Sequence, residues 1–86
     1  MRILIAEDEE ISRKLTADGI GGWGYEAESV ADGEAAWQKL RVPDAPQLLV
    51  IDWLMPKMSG IELCRKLRGL GDSRFFYIIM LTCKQD

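Results

Sequence analysis

The fold is decided by residues 48–52, Leu48-Leu49-Val50-Ile51-Asp52, an unbroken apolar run that ends in an acid. A short apolar run without alternation is typical of a strand that helices cover on both faces of a parallel sheet. A second run of the same kind, Ile3-Leu4-Ile5-Ala6, leads into Glu7 and Asp8. We therefore predict two buried parallel strands with acids at their carboxyl ends, the strand at 48–51 being central.

The remaining segments alternate between strand and helix signals. Helices are predicted to start near residues 9, 33 and 59, and strands are predicted over residues 2–6, 26–30, 48–51 and 75–81. The resulting order is βαβαβαβ, which implies right-handed crossovers. The sequence thus predicts an α/β fold with a doubly wound parallel sheet, in one domain that spans residues 1–86.

The first helix carries conflicting signals. Ile11 and Leu15 lie one turn apart, and we expect them to form its inward face. A cluster of glycines then disfavours helix by about 1 kcal/mol each relative to alanine, so we expect the helix to end near Ile20. The glycines are Gly19, Gly21, Gly22 and Gly24.

Capping residues predict where the later helices begin. Asp32 can cap the second helix, and Ser59 with Glu62 has the spacing of a capping box for the third. We expect Gly69 and Gly71 to end the third helix. We expect its buried side to consist of Ile61, Leu63, Cys64, Leu67 and Leu70.

Composition and charge exclude several classes of function. A chain of 86 residues with 48% hydrophobic and 29% charged residues is typical of a soluble globular domain, and no apolar run approaches the ~20 residues that span a bilayer. Acids follow the amino-terminal apolar run too soon for it to be a signal peptide. We therefore expect a cytoplasmic protein without membrane insertion. A net charge of −3 argues against direct nucleic-acid binding. Cys64 and Cys83, far apart and without any histidine, predict neither a zinc site nor a redox pair.

The acids at the strand ends predict a metal site. Parallel strands place their carboxyl ends at one edge of the sheet, so Glu7, Asp8 and Asp52 should converge there. Like charges this close raise one another's pKa unless a cation lies among them. Mg²⁺ prefers carboxylate, water and phosphate oxygens, and the predicted site therefore indicates magnesium-dependent phosphate chemistry.

Several spaced motifs resemble the receiver domain of response regulators. They are Glu7-Asp8, the segment 52–56 continuing to Ser59-Gly60, and Leu81-Thr82, and the resemblance extends over all 86 residues. It implies a flavodoxin-like fold and a place in two-component phosphorelay signalling. It also implies that Asp52 accepts a phosphoryl group from a sensor histidine kinase or phosphotransfer protein. Such a domain promotes its own phosphorylation and is not otherwise an enzyme.

The resemblance assigns a role to each site residue. Asp52 would be the nucleophile and would give one oxygen to Mg²⁺. Asp8 would bind the ion directly, Glu7 would act through a bound water, and the backbone carbonyl of Leu54 would complete the protein ligands. The hydroxyl of Thr82 would donate a hydrogen bond to a phosphoryl oxygen.

The chain also departs from the family pattern. A complete receiver continues through another helix, a strand that delivers a lysine to the pocket, and a last helix, whereas this sequence ends at Asp86 and Lys84 directly follows the fourth strand. On this basis we expect a C-terminally truncated receiver in which phosphorylation is slow or absent. We also expect an exposed fourth strand and a homo-oligomer formed by pairing of fourth strands or by segment exchange.

Two alternatives stay open at the level of sequence. The chain could be a self-associating fragment whose acidic pocket is vestigial. It could also be a magnesium-dependent phosphohydrolase that uses Asp52 as nucleophile, although that chemistry usually has a second acid two residues on, where Leu54 stands.

Overall fold

The structure, a computed structural model, describes residues 2–70 and 76–81. In this part of the chain, strands and helices alternate as predicted, which confirms the α/β class. No helix within it has the length and the apolar character needed to cross a membrane. The elements are β1 (Arg2–Ala6), α1 (Glu10–Gly22), β2 (Glu26–Val30), α2 (Gly33–Leu40), β3 (Leu48–Asp52), α3 (Gly60–Arg68) and β4 (Tyr77–Leu81).

The described strands form one parallel sheet in the order β2-β1-β3-β4. β3 therefore lies inside the sheet, as predicted. From β1 the chain moves to β2 on one side and then to β3 on the other, so the topological switch point lies between β1 and β3. The register pairs Ala6 with Ile51, which brings the residues that follow β1 beside the end of β3.

Buried side chains form a core on each face of the sheet. The smaller core lies on the side of α1, and its buried members are Ile3, Ile5, Ile20 and Val50. The larger core lies on the side of α2 and α3, and its buried members are Leu4, Ala6, Val30, Ala36, Leu40, Leu49, Ile51, Met58, Leu63 and Leu67. Helices on both faces explain why β1 and β3 are apolar without alternation.

The structure contradicts two predictions for α1. Ile11 and Leu15 are 67% and 66% exposed, so they do not form the inward face. Instead, Ile20 is buried against the sheet with Ala17 packed beside it. The helix also continues past its predicted end near Ile20 to Gly22, because its last turn holds Ile20 in that core. The N–H of Trp23 closes this turn by donating to the carbonyl of Ile20 (3.1 Å). The chain then turns at Gly24, whose φ of 94° suits glycine.

The predicted helix starts are confirmed, with one error in a buried face. Asp32 caps α2, and Ser59 and Glu62 form the reciprocal capping box of α3. Leu63 and Leu67 are buried, but Ile61 is 40% exposed, because it lies one position off the stripe that faces the sheet. Gly69 ends α3 as predicted, and β4 begins two residues later than predicted, at Tyr77. Gly71 and Phe75 lie outside the described residues.

Candidate functional site

The acids at the ends of β1 and β3 converge at the switch point. Glu7, Asp8 and Asp52 each offer a carboxylate oxygen, and these oxygens lie within 4.8 Å of one another. Asp52 is fully buried and Glu7 is 5% exposed, whereas Asp8 is exposed. The cluster therefore has two fixed inner carboxylates and one carboxylate on the side of the solvent.

Hydrogen bonds fix Glu7 at the inner side of the cluster. Its N–H donates to the carbonyl of Val30 (3.1 Å), which extends the β1–β2 pairing by one residue. Its Oε2 accepts from the N–H of Glu9 (3.0 Å), and its carbonyl accepts from Nη1 of Arg13 in α1 (3.0 Å). Arg13 was not predicted to take part, although an arginine in the helix that follows an acidic strand end can reach back to it.

The loop after Asp52 is held from both sides. The N–H of Trp53 donates to the carbonyl of Leu81 (3.0 Å), and the carbonyl of Trp53 accepts from the N–H of Gly60 (2.9 Å). A Cβ added at Gly60 would lie only 2.8 Å from the carbonyl oxygen of Asp52. The start of α3 therefore passes so close to the end of β3 that only glycine fits there, which fixes the backbone of Asp52.

An ion pair also joins this loop to the β2–α2 connection. Nζ of Lys57 lies 3.8 Å from Oδ2 of Asp32, and Lys57 has a φ of 70°. A left-handed conformation is uncommon for lysine, so the surrounding loop must hold it in place. This ion pair links the segment after Asp52 to the cap of α2, and the sequence analysis did not predict it.

Burial and like charge raise the pKa of Glu7. Desolvation is the largest cause, and the charges of Asp52 and Asp8 and a hydrogen bond shared with the Asp52 carboxyl act in the same direction. The N–H of Glu9 opposes them in part. Full ionisation of the cluster is therefore unfavourable, and a divalent cation among the oxygens would relieve the repulsion. Carboxylate oxygens are the donors that Mg²⁺ prefers, so the residues present fit this ion.

Of the two remaining predicted site residues, the structure describes Leu54 but not Thr82. Leu54 lies in the loop two residues after Asp52 and is exposed, and the role of its carbonyl stays a prediction. Thr82, like Lys84, lies outside the described residues, so its role stays a prediction.

A parallel sheet of this order, with a buried aspartate and two further acids at the switch point, defines a receiver-like signalling domain. Residues 3–86 match the response regulator receiver domain family. The chain belongs to this family, and therefore to the modules of two-component signal transduction, as its sequence motifs indicated.

Relatives of known name agree with this assignment. The phosphate regulon transcriptional regulatory protein PhoB of Rhizobium meliloti is 39% identical over 87 residues, which cover 99% of this chain and 37% of PhoB. Chemotaxis protein CheY1 of Helicobacter pylori is 36% identical over 95% of this chain and 67% of its own length. The chain spans about a third of the length of PhoB and of the other first regulators that it matches.

A solved structure shows the same fold. The signal receiver domain of a signal transduction histidine kinase from Syntrophus aciditrophicus superimposes with a TM-score of 0.86 and 36% identity. The match covers 99% of this chain and 64% of that chain. The flavodoxin-like sheet expected from the sequence is therefore confirmed.

Proposed function

We propose that this chain is a phosphoacceptor, and that the carboxylate of Asp52 receives the phosphoryl group. The observation that carries this proposal is the placement of a fully buried aspartate at the end of β3, with two further carboxylates within 4.8 Å. The phosphodonor is a phosphohistidine of a sensor histidine kinase or phosphotransfer protein, in keeping with the family. Because the domain takes up the group itself, it acts as a signalling switch and turns over no separate substrate.

In the transfer, an oxygen of Asp52 attacks phosphorus in line with the leaving nitrogen. The new O–P bond forms as the P–N bond breaks, and the imidazole nitrogen keeps the electron pair and takes up a proton. Such a transfer depends mainly on positioning and on neutralisation of charge. The glycine contact of α3 and the hydrogen bonds of Trp53 provide the positioning, because they hold the backbone at Asp52 and at the residue that follows it.

Asp8 and Asp52 would hold Mg²⁺ directly, with Glu7 acting through water and the carbonyl of Leu54 completing the protein ligands. When bound, the ion would neutralise charge on the phosphoryl oxygens during transfer. Exposed Asp8 can adjust its rotamer to the ion, whereas buried Glu7 is fixed by the N–H of Glu9. We further propose that the hydroxyl of Thr82 donates a hydrogen bond to the transferred group.

Intact mass spectrometry after incubation with acetyl phosphate tests the proposal. In the presence of Mg²⁺, we expect the protein to gain the mass of one phosphoryl group. Asp52→Asn should gain none, because an amide is not a nucleophile for this transfer, and chelation of Mg²⁺ should strongly reduce the gain.

Asp44→Asn is a matched control, because Asp44 is an exposed acid at the opposite end of the sheet beside Arg2. It should be phosphorylated like the wild type. A modification that persists in Asp52→Asn would place the acceptor elsewhere and refute the proposal.

A further inference from the structure

Arg13 of α1 reaches back to the end of β1, where the acids of the cluster begin. Its Nη1 donates to the carbonyl of Glu7 (3.0 Å), six residues earlier in the chain. Arg13 is partly buried, whereas Ser12 and Lys14 on either side of it are exposed. The arginine side chain therefore lies against the β1–α1 turn, residues 7–9, rather than extending into the solvent.

This hydrogen bond acts on Asp8 through the peptide bond. The carbonyl of Glu7 and the N–H of Asp8 belong to one planar unit, so the direction of the carbonyl sets the direction in which the chain enters Asp8. Among the described residues, the hydrogen bonds that hold the turn are made by Glu7 and Glu9, on either side of Asp8. The placement of the exposed Asp8 side chain therefore depends on how these two neighbours are held.

The other supports of Glu7 do not depend on Arg13. The N–H of Glu7 donates to the carbonyl of Val30 (3.1 Å), and its Oε2 accepts from the N–H of Glu9 (3.0 Å). Loss of the Arg13 bond would therefore leave the end of β1 and the Glu7 carboxylate in place. It would free the peptide that leads into Asp8, so the effect would fall on one carboxylate of the cluster.

The charge of Arg13 and its hydrogen bond have opposite effects on a cation in the cluster. A guanidinium beside the site repels a divalent cation, so the charge by itself would weaken Mg²⁺ binding. A donor that orients a metal-binding residue strengthens binding, and the loss of such a partner typically lowers metal affinity roughly 10- to 100-fold. The two roles therefore predict effects of opposite sign when the arginine is removed.

We infer that Arg13 is a positioning residue of the magnesium site, and that it acts by fixing the peptide between Glu7 and Asp8. The Asp8 carboxylate is thereby presented to the same ion as the carboxylate of Asp52. The inference rests on the magnesium site of the proposed function and adds to it a residue from α1. It does not require that Asp52 be phosphorylated, so the two proposals can fail separately.

A titration of the isotope-labelled protein with Mg²⁺, followed by NMR, tests this role. Arg13→Met removes the donor and the charge but keeps an unbranched side chain that suits a helix, and we expect it to raise the Kd for Mg²⁺ about tenfold. Arg13→Lys keeps the charge and a donor, so its Kd should lie between those of the wild type and Arg13→Met. Lys14→Met is the matched control, because it removes the same charge at the next position of α1, where Lys14 pairs with exposed Asp18 (3.5 Å). It should bind Mg²⁺ as tightly as the wild type or slightly more tightly.

An Arg13→Met protein that binds Mg²⁺ as tightly as the wild type, or more tightly, would overturn the inference. Equal weakening in Lys14→Met would overturn it as well, because that residue does not contact the turn. A wild type whose amide signals near Asp8 and Asp52 do not respond to Mg²⁺ would overturn the metal site and this inference with it. A wild type that binds Mg²⁺ there but gains no phosphoryl group would refute only the transfer.

Relaxation of the backbone amides without Mg²⁺ gives a second readout, which does not depend on metal binding. In the wild type, the amide of Asp8 should have an order parameter near the ~0.85 of a rigid backbone. Arg13→Met should lower the order parameter at Asp8 and leave that of Val30 unchanged. If Asp8 in the wild type is as mobile as a flexible loop, with an order parameter below ~0.6, the inference is overturned even where Arg13→Met does not fold.

Discussion

At the scale of single residues, the three acids differ in how much water reaches them. Asp52 is completely buried and Glu7 nearly so, whereas Asp8 is exposed. In the proposed function, burial would hold Asp52 in one orientation for the transfer, and the exposure of Asp8 would let it exchange water with an incoming ion. Burial, together with the charges of Asp52 and Asp8, raises the pKa of Glu7.

Replacing Glu7 by glutamine should stabilise the protein in the presence of a chelator at neutral pH. The change removes a buried charge that repels Asp52 and Asp8, while the amide oxygen can still accept from the N–H of Glu9. We expect a gain on the order of 1 kcal/mol in the free energy of unfolding, the size of the repulsion between two charges about 4 Å apart in a water-like medium. Urea unfolding measures it.

The pH dependence of this gain follows from the direction of the pKa shift. The pKa of Glu7 is higher in the folded chain than its ordinary value of 4.5, so the folded state binds the proton more tightly. Its ionisation therefore lowers stability as pH rises from 4.5 through the folded pKa. The gain of Glu7→Gln should be absent below pH 4.5 and present at neutral pH. A gain independent of pH would contradict this assignment.

At the scale of the elements, two glycines in helices should respond oppositely to substitution. A Cβ at Gly33, the first residue of α2, would overlap the carbonyl oxygen of Met58, whereas one at Gly19 in α1 meets nothing within 4 Å. We expect Gly33→Ala to lower the free energy of unfolding by about 3 kcal/mol, since the β3–α3 loop must move. Gly19→Ala should raise the free energy of unfolding by up to about 1 kcal/mol. Thermal unfolding of the two variants measures both changes, and a loss in Gly19→Ala would show that the α1 glycines have another role.

The capping box should contribute separately to the stability of α3. Ser59→Ala removes the oxygen that accepts from the N–H of Glu62 (3.2 Å), and we expect a loss of about 1 kcal/mol. Ser29→Ala is the control, because Ser29 is exposed on β2 and lies outside the helices. Equal urea midpoints for the two variants would show that the box contributes nothing measurable.

Helix positions were predicted more reliably than helix faces, for a physical reason. Asp32 and Ser59 act within one turn, so the sequence contains everything needed to place them. Ile11 and Leu15 form an apolar stripe, but the stripe alone does not tell which neighbour covers it, and α1 instead packs through Ile20. Spacing identifies a face, whereas the packing partner decides whether that face is buried.

At the scale of the whole molecule, topology explains why the site could be predicted from sequence. Alternating elements imply a parallel sheet, and a parallel sheet brings its carboxyl ends to one edge, so the meeting of Glu7, Asp8 and Asp52 required no knowledge of side-chain packing. The contacts of Arg13 and the Lys57–Asp32 pair depend on loop conformation. No periodicity in the sequence encodes that conformation, and these supports of the site were missed.

Magnesium should therefore stabilise the whole domain, because its proposed ligands come from two different strand ends. An ion that binds only the folded chain adds about 2.7 kcal/mol at a hundred times its dissociation constant. We expect Mg²⁺ to raise the urea midpoint of the wild type and to have a much smaller effect on Asp8→Asn. Asp44→Asn, an exposed acid at the far end of the sheet, should respond like the wild type. If Mg²⁺ raises the urea midpoints of Asp8→Asn and of the wild type equally, the ion does not bind at Asp8. A general effect of divalent cations on the surface would change Asp8→Asn and Asp44→Asn alike.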